Sequence, residues 1–295
     1  MPKPWSADKT YRSIVSSLQD ETSEWILYTN PQAKLNQFNW PQEDYRILGA
    51  FGSLAQWFRA NSCTALYAGE TDRGVEFAGL KSVCSLLDAT VYTNGFRLGK
   101  SSAPTVHSLG LSIAHAVAFG HMDIGRGLIR QLAGCAELDT FKVGLGCVGP
   151  FCARLCSDGL GMANPLVGKA FEKLAAYEII LSTWKEPDPH SGLAPACLDA
   201  CEYHVANSKM SNTEWHDFDE RDAQLMPVEL LAVLRLRELQ GFPPVKVDHP
   251  LMTLPTANLY PIQPETCPDF VKAGIDKLRD VASWRLKGLD LWWAQ

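Results

Sequence analysis

"KVGLGCVG", residues 142–149, decides which kind of fold this sequence encodes. Gly144, Gly146 and Gly149 stand in the spacing G-x-G-x-x-G, the fingerprint of a dinucleotide-binding turn. Such a turn needs a strand before it and a helix after it, because the helix N-terminus receives the pyrophosphate. Here only "TFKV" (140–143) can serve as the strand, while "PFCARLC" (150–156) opens a helix at Pro150. An acidic residue should end a second strand about 20 residues further on. That region instead has helical spacing around Phe171 and Leu174, with Glu172 on the wet side. No alternation of strands and helices surrounds the motif, and in a chain with 22 glycines the match is cheap. The glycines are read as a loop followed by tight helix packing, and the chain as mainly α.

Outward from this stretch, apolar residues recur at helical intervals. Tyr11, Ile14, Val15 and Leu18 predict a first helix, with Ser6 as its N-cap. "LNQFNWPQ" (35–42) breaks the pattern. Further helices are predicted over about 43–60 and 75–91, and one with Val106, Leu109, Ile113 and Val117 on one face. "NPLVGKAFEKLAAYEIILSTW" (164–184) predicts a long helix capped by Asn164, with Pro165 in the first turn and Val167, Phe171, Leu174, Tyr177 and Leu181 along one side. Cys197, Leu198, Cys201 and Val205 predict the buried side of the next. "PVELLAVLRLRELQG" (227–241) runs from Pro227 to Gly241 with apolar positions spread widely, so it is expected to be contacted on several sides. "FPPVKVDHPLMTLPTANLYPIQP" (242–264) has too many prolines for a helix and reads as extended, with one short β pairing. Val271, Ile275, Leu278 and Ala282 form the buried side of a last helix, with Lys272, Asp276 and Arg279 opposite.

The expected fold is therefore mainly α: a multi-helix globular bundle or irregular helical repeat with a short extended or β segment near 242–264. One mostly helical domain spans 1–295, and the least periodic joins, 186–192 and 208–225, are the weak candidates for a division.

With 46% hydrophobic residues, 295 residues can bury a substantial core. The net charge of −6 and the lack of a Lys/Arg run argue against direct nucleic-acid binding, which draws its affinity from basic side chains. The sign suits a basic protein partner. "MPKPWSADKTYR" lacks the apolar core of a signal segment, and no apolar run reaches the roughly 20 residues of a membrane helix. Nine cysteines scattered through apolar stretches fit buried, reduced thiols in the cytoplasm better than a disulfide framework.

Candidate chemistry is sparse. Cys197, Cys201 and His204 share a helix face at i, i+4, i+7; a zinc site there would need a fourth ligand, such as His190 or His216. The plainer reading is burial, since Leu198 and Val205 share that face. Cys152 and Cys156 invite the same pair of readings. Asp248 and His249 in "DHP" could form an orienting pair, but neighbours in extended chain point apart, so a turn held by Pro250 is expected. Neither hydrolase nor Walker motifs are present, and no cofactor or metal is expected. Trp292 and Trp293 either dock on the body or belong to an interface.

The most distinctive polar stretch is "TEWHDFDERD", residues 213–222. Glu214, Asp217, Asp219, Glu220 and Asp222 give five negative charges against Arg221, with Trp215 and Phe218 threaded between. Rings supply contact area and carboxylates supply steering, so these seven residues are the predicted partner-binding surface. The plainer reading is a solvated loop whose aromatics turn inwards.

From "CLDACEYHVANSK" (197–209) through "PVELLAVLRLRELQG" to "VDHPLM" (247–252) and "ANLYP" (257–261), about a quarter of the chain resembles the C-terminal part of bacterial immunity proteins that neutralise polymorphic toxins, including type VI secretion effectors. The resemblance rests on a helix followed by a proline-rich extended tail. It implies a cytoplasmic antitoxin that occludes the active site of one cognate toxin. Such toxins are often nucleases with basic substrate clefts, which an acidic, aromatic-bearing surface would fill. Two other readings stay open: an enzyme, nucleotide-dependent through 142–149 or hydrolytic through a Cys or His assembled by the fold, and a helical scaffold with several weak partners.

Overall fold

Helical spacing of apolar residues dominates because helices bury a stripe of side chains while closing their own backbone hydrogen bonds. The structure, a computed structural model, describes residues 5–19, 49–188, 192–211, 213–264 and 267–289. Among them lie ten α-helices and no strand: α1 (Ala7–Gln19), α2 (Ala50–Tyr67), α3 (Thr71–Arg97), α4 (Val106–Ala118), α5 (Met122–Ala136), α6 (Val148–Gly159), α7 (Ala175–Thr183), α8 (Leu193–Ala206), α9 (Val228–Leu239) and α10 (Asp269–Ala282). None is long and apolar enough to cross a membrane. The segment 35–42, His190 and Trp292–Trp293 lie outside the described residues, as does the start of the helix expected from residue 43.

Helix α4 is the hub, packing against α3, α5, α6 and α9. Its sequence explains this position. Val106, Leu109, Ile113 and Val117 are buried as expected, and Gly110, Ala114, Ala116 and Ala118 let neighbours approach from other sides. The closest approach is to α6. A Cβ on Gly110 would stand 2.1 Å from the Gly149 carbonyl oxygen, and one on Gly149 would stand 2.4 Å from the His107 Cα. Two backbones touch there, and only glycine leaves the room.

Helix α3 runs beyond its predicted bounds to 27 residues, about 40 Å at the usual rise. Its C-terminal end is pinned by the turn after α10: the Asn94 side chain donates to the carbonyls of Arg285 (2.7 Å) and Lys287 (2.9 Å). In α10 the predicted face is the buried one, with Val271, Ile275, Leu278 and Ala282 all at 2% exposure or less.

Three expectations change. The helix expected over 164–184 exists only as α7. Asn164 takes the Leu166 amide (2.9 Å) in a local turn rather than capping a helix, and Gly168 is left-handed at φ 75°, which ends any helical run. Val167, expected inside, is 76% exposed. In α8 the buried face turns out to be Ala196, Cys197, Ala200, Cys201 and His204, whereas Leu198 is exposed and Val205 half-buried.

The third change concerns 242–264, which forms no β pairing. It is irregular chain with single 3-10 turns at Pro250–Thr253 and Pro255–Ala257. It lies on the body, held by arginines that α9 buries. The Arg235 guanidinium donates to the carbonyls of Ala118 (3.1 Å) and Tyr260. Arg237 donates to those of Trp184, Glu186 and Pro243. Pro243 and Tyr260 belong to the proline-broken segment, and Ala118, Trp184 and Glu186 to the ends of α4 and α7 and the turn that follows, so each arginine satisfies carbonyls of both and ties the tail to the body. Helix α9 is thus contacted on several sides, as its sequence predicts. At "DHP" the Leu251 amide donates to His249 Nδ1 (3.1 Å), a local turn led by Pro250.

Candidate functional site

Segment 213–222 is folded onto the body rather than standing free. Five carboxylates so close repel one another unless cations or donors receive them, and the fold supplies both. The Arg59 guanidinium on α2 binds Glu220 and Asp222. Burial alone would lower the Arg59 pKa, but the two carboxylates hold it above its ordinary value. Arg59 in turn lowers Glu220, whereas burial keeps Asp222 raised. Phe218 stacks on the His204 ring of α8 at 3.7 Å.

Asp217 has the most specific anchorage. Its Oδ2 accepts from the Tyr203 hydroxyl (2.6 Å) and from the Cys147 amide (3.3 Å), the N-cap residue of α6. His107 Nδ1 stands 3.3 Å from Oδ1, close enough for an ion pair but not aligned as a hydrogen bond. Burial works to raise the Asp217 pKa, yet His107, Tyr203 and the Cys147 amide bring it below the ordinary carboxylate value. The G-x-G-x-x-G loop therefore does deliver an anion to a helix N-terminus, as backbone amides and the helix dipole favour. The anion is the chain's own Asp217. Gly144 and Gly146 are both left-handed, and a Cβ on Gly146 would lie 2.2 Å from Asp217 Oδ1 and 3.0 Å from Trp215 Nε1.

The seven residues predicted to meet a partner separate into two groups. Glu214, Trp215 (45% exposed) and Glu220 reach solvent, and Asp219 is half-buried. Asp217, Phe218 and Asp222 are buried, so in this conformation they hold the segment in place and do not form a contact surface. The reason is electrostatic and hydrophobic together: their partners Tyr203, Arg59 and His204 offer what water offers, plus ring burial.

Beneath the segment lies a cleft of about 280 Å³ that the sequence did not reveal. Its walls are Gly52, Gln56 and Arg59 of α2, Lys81, Ser85 and Asp88 of α3, and His107, Ser108 and Ser112 of α4, with Trp215, Asp217 and Glu220 above. Lys81 is 4% exposed, and its ammonium donates to Ser112 Oγ at 3.3 Å. Burial, with the nearby Arg59 charge, brings its pKa down from 10.5 to about 7. Asp88 has an Oδ1 shielded from solvent and without a hydrogen-bond partner; burial lifts its carboxyl from 3.8 to about 7, eased only by the Gly52 amide. Lys81, Ser85 and Asp88 fall at i, i+4, i+7 inside the apolar run "GLKSVCSLLDATV" (79–91). Charged residues at that spacing in a run otherwise buried all round were the available signal.

The Cys197/Cys201/His204 face is structural. His204 is fully buried, with Nδ1 2.7 Å from Glu229 Oε1 and Nε2 3.3 Å from the Gln224 carbonyl. Among the described residues no group of three or more Cys, His, Asp or Glu is placed to hold a metal. His216 lies 3.7 Å from Glu214. All nine cysteines are free thiols, and eight are buried.

Comparison with protein families, characterised proteins and solved structures found no significant match to this chain.

Proposed function

We propose that the chain is a binding protein, an immunity protein that occludes the active site of a cognate bacterial toxin with a basic cleft. One observation carries this reading: two exposed apolar side chains, Trp215 and Leu145, the first on an acidic segment. Trp215 stands edge-on to His107 with ring centroids 5.1 Å apart, so its ring is held rather than free. Leu145, 67% exposed, adjoins the Gly146 against which Trp215 lies. Glu214, Asp219 and Glu220 lie on the same segment as Trp215. A rigid tryptophan with an apolar neighbour is the usual anchor of an interface, and rim carboxylates raise association rate toward a basic partner. The resemblance of 197–261 to immunity proteins points the same way.

Co-expression with the product of the adjacent gene tests the proposal: growth protection and a stable complex support it. An inert neighbour that forms no complex defeats it. Within a complex, Trp215→Ala should act mainly on dissociation, and Glu214→Lys on association and its salt dependence.

A second reading, an enzyme working in the cleft, is favoured by the His107–Asp217 contact. A carboxylate at Nδ1 orients an imidazole for proton transfer, and His107 lines the cleft. Hydrolytic turnover that His107→Gln abolishes, in protein with unchanged melting, would establish it.

A further inference from the structure

The cleft walls carry two groups of opposite sign, Lys81 and Asp88, and among the described residues neither is in an ion pair. Lys81 and Asp88 are two turns apart on one face of α3, about 10 Å along the axis. An ammonium has three donors, and Lys81 uses one, on a serine hydroxyl. The charges near it are those of Arg59, Glu220 and Asp222, and Arg59 is already paired to both carboxylates. Asp88 lies beyond that group. Its unpartnered oxygen faces Gly52, where a Cβ would stand 2.8 Å away, so glycine there leaves the carboxyl its space. Ser85 lies between the two on the same face.

A buried lysine and a half-buried aspartate, neither in an ion pair among the described residues and the aspartate met only by the Gly52 amide, are each unfavourable. Two such groups on one wall, too far apart to meet, would both be relieved by one molecule that carries their complements at its ends.

We propose that the cleft between α2, α3 and α4 is a binding site for a small zwitterion, its carboxylate held by Lys81 and Ser112 and its ammonium group by Asp88. The volume suits a molecule of a few carbons, and Ser85 offers a hydroxyl to its middle. This inference does not rest on the toxin-binding reading.

A ladder of ω-amino acids, from glycine through β-alanine and γ-aminobutyrate to ε-aminocaproate, measures the spacing. Each is added at about 10 mM to the full chain in thermal melts, beside the carboxylate and the amine of matched length, because a ligand of the native state raises its melting temperature. One chain length should give the largest shift, and calorimetry should find it at least about tenfold tighter than either single-ended control. Lys81→Met and Asp88→Asn should each weaken that member about tenfold or more while their ligand-free melts stay cooperative. The proposal is overturned if no member shifts the melt, if binding survives in both variants, or if the matched carboxylate binds as tightly as the amino acid.

Discussion

His204 and Glu229 meet in the interior with Nδ1 and Oε1 2.7 Å apart and no exposure on either side chain. The contact ties α8 to the first turn of α9, and Phe218 stacks on the same imidazole, so three parts of the chain converge on one ring. Removing Glu229 strips Nδ1 of its partner and leaves the imidazole only its Nε2 contact with the Gln224 carbonyl, and breaking a buried charged pair costs roughly 3–5 kcal/mol. Glu229→Ala should therefore melt far below the wild type, whereas His204→Phe with Glu229→Leu should recover much of the loss. Chemical denaturation of the two variants checks the order.

The Gly110–Gly149 crossing predicts a different kind of damage. An added methyl meets a backbone carbonyl, which cannot rotate away as a side chain would. Gly110→Ala should cost at least the roughly 1–3 kcal/mol of ordinary overpacking. Gly134→Ala, where a Cβ meets nothing nearer than 3.5 Å, should be nearly neutral or slightly stabilising. Paired urea melts distinguish them.

The cleft groups predict how stability varies with pH. Asp88 titrates at 3.8 unfolded and at about 7 folded, so in that window the native state binds more protons and stability falls as pH rises. Lys81 titrates at 10.5 unfolded and at about 7 folded, so between those values the unfolded state binds more protons and stability rises with pH. Asp88→Asn should gain on the wild type as pH climbs from 3.8 to about 7. Lys81→Met should lose its advantage as pH climbs from about 7 to 10.5. Each limb has a slope of at most roughly 1.4 kcal/mol per pH unit. Burial lowers His115 and His121, which tilts the total curve the opposite way in acid, so the variants are compared as differences.

Thiol chemistry offers a fourth check. Burial raises every cysteine, Cys147, Cys197 and Cys267 to about 12, so thiolate is scarce at neutral pH. Cys267 alone is half-buried, and the other eight are fully buried. A chromogenic disulfide should release less than about one equivalent from native protein and the full complement after unfolding. Rapid release from several sites would contradict the packing around α6 and α8.

The elements that the sequence predicts well are those whose own spacing carries the information. Val271, Ile275, Leu278 and Ala282 announce α10 without help from the rest of the chain, and the wide apolar spread of 227–241 announces a helix touched on many sides. Residues 164–174 mislead because helix-forming residues surround Gly168, whose left-handed backbone overrides them. The acidic segment could be singled out by charge, but its destination could not, since Arg59 lies 163 positions before Asp222. The cleft escaped notice for the same reason. Lys81 and Asp88 look like interruptions of an apolar run until α2 and α4 are placed beside them.

The carboxylate at the N-terminus of α6 gives this chain a resident competitor of its own. A phosphate seeking the amides after Gly146 would find the seat taken, and displacing the occupant would mean detaching Tyr203 and moving the neighbouring Trp215 from its place over His107. A loop shaped like a nucleotide cradle has thereby become a fastening for the segment that shows Trp215 to the outside.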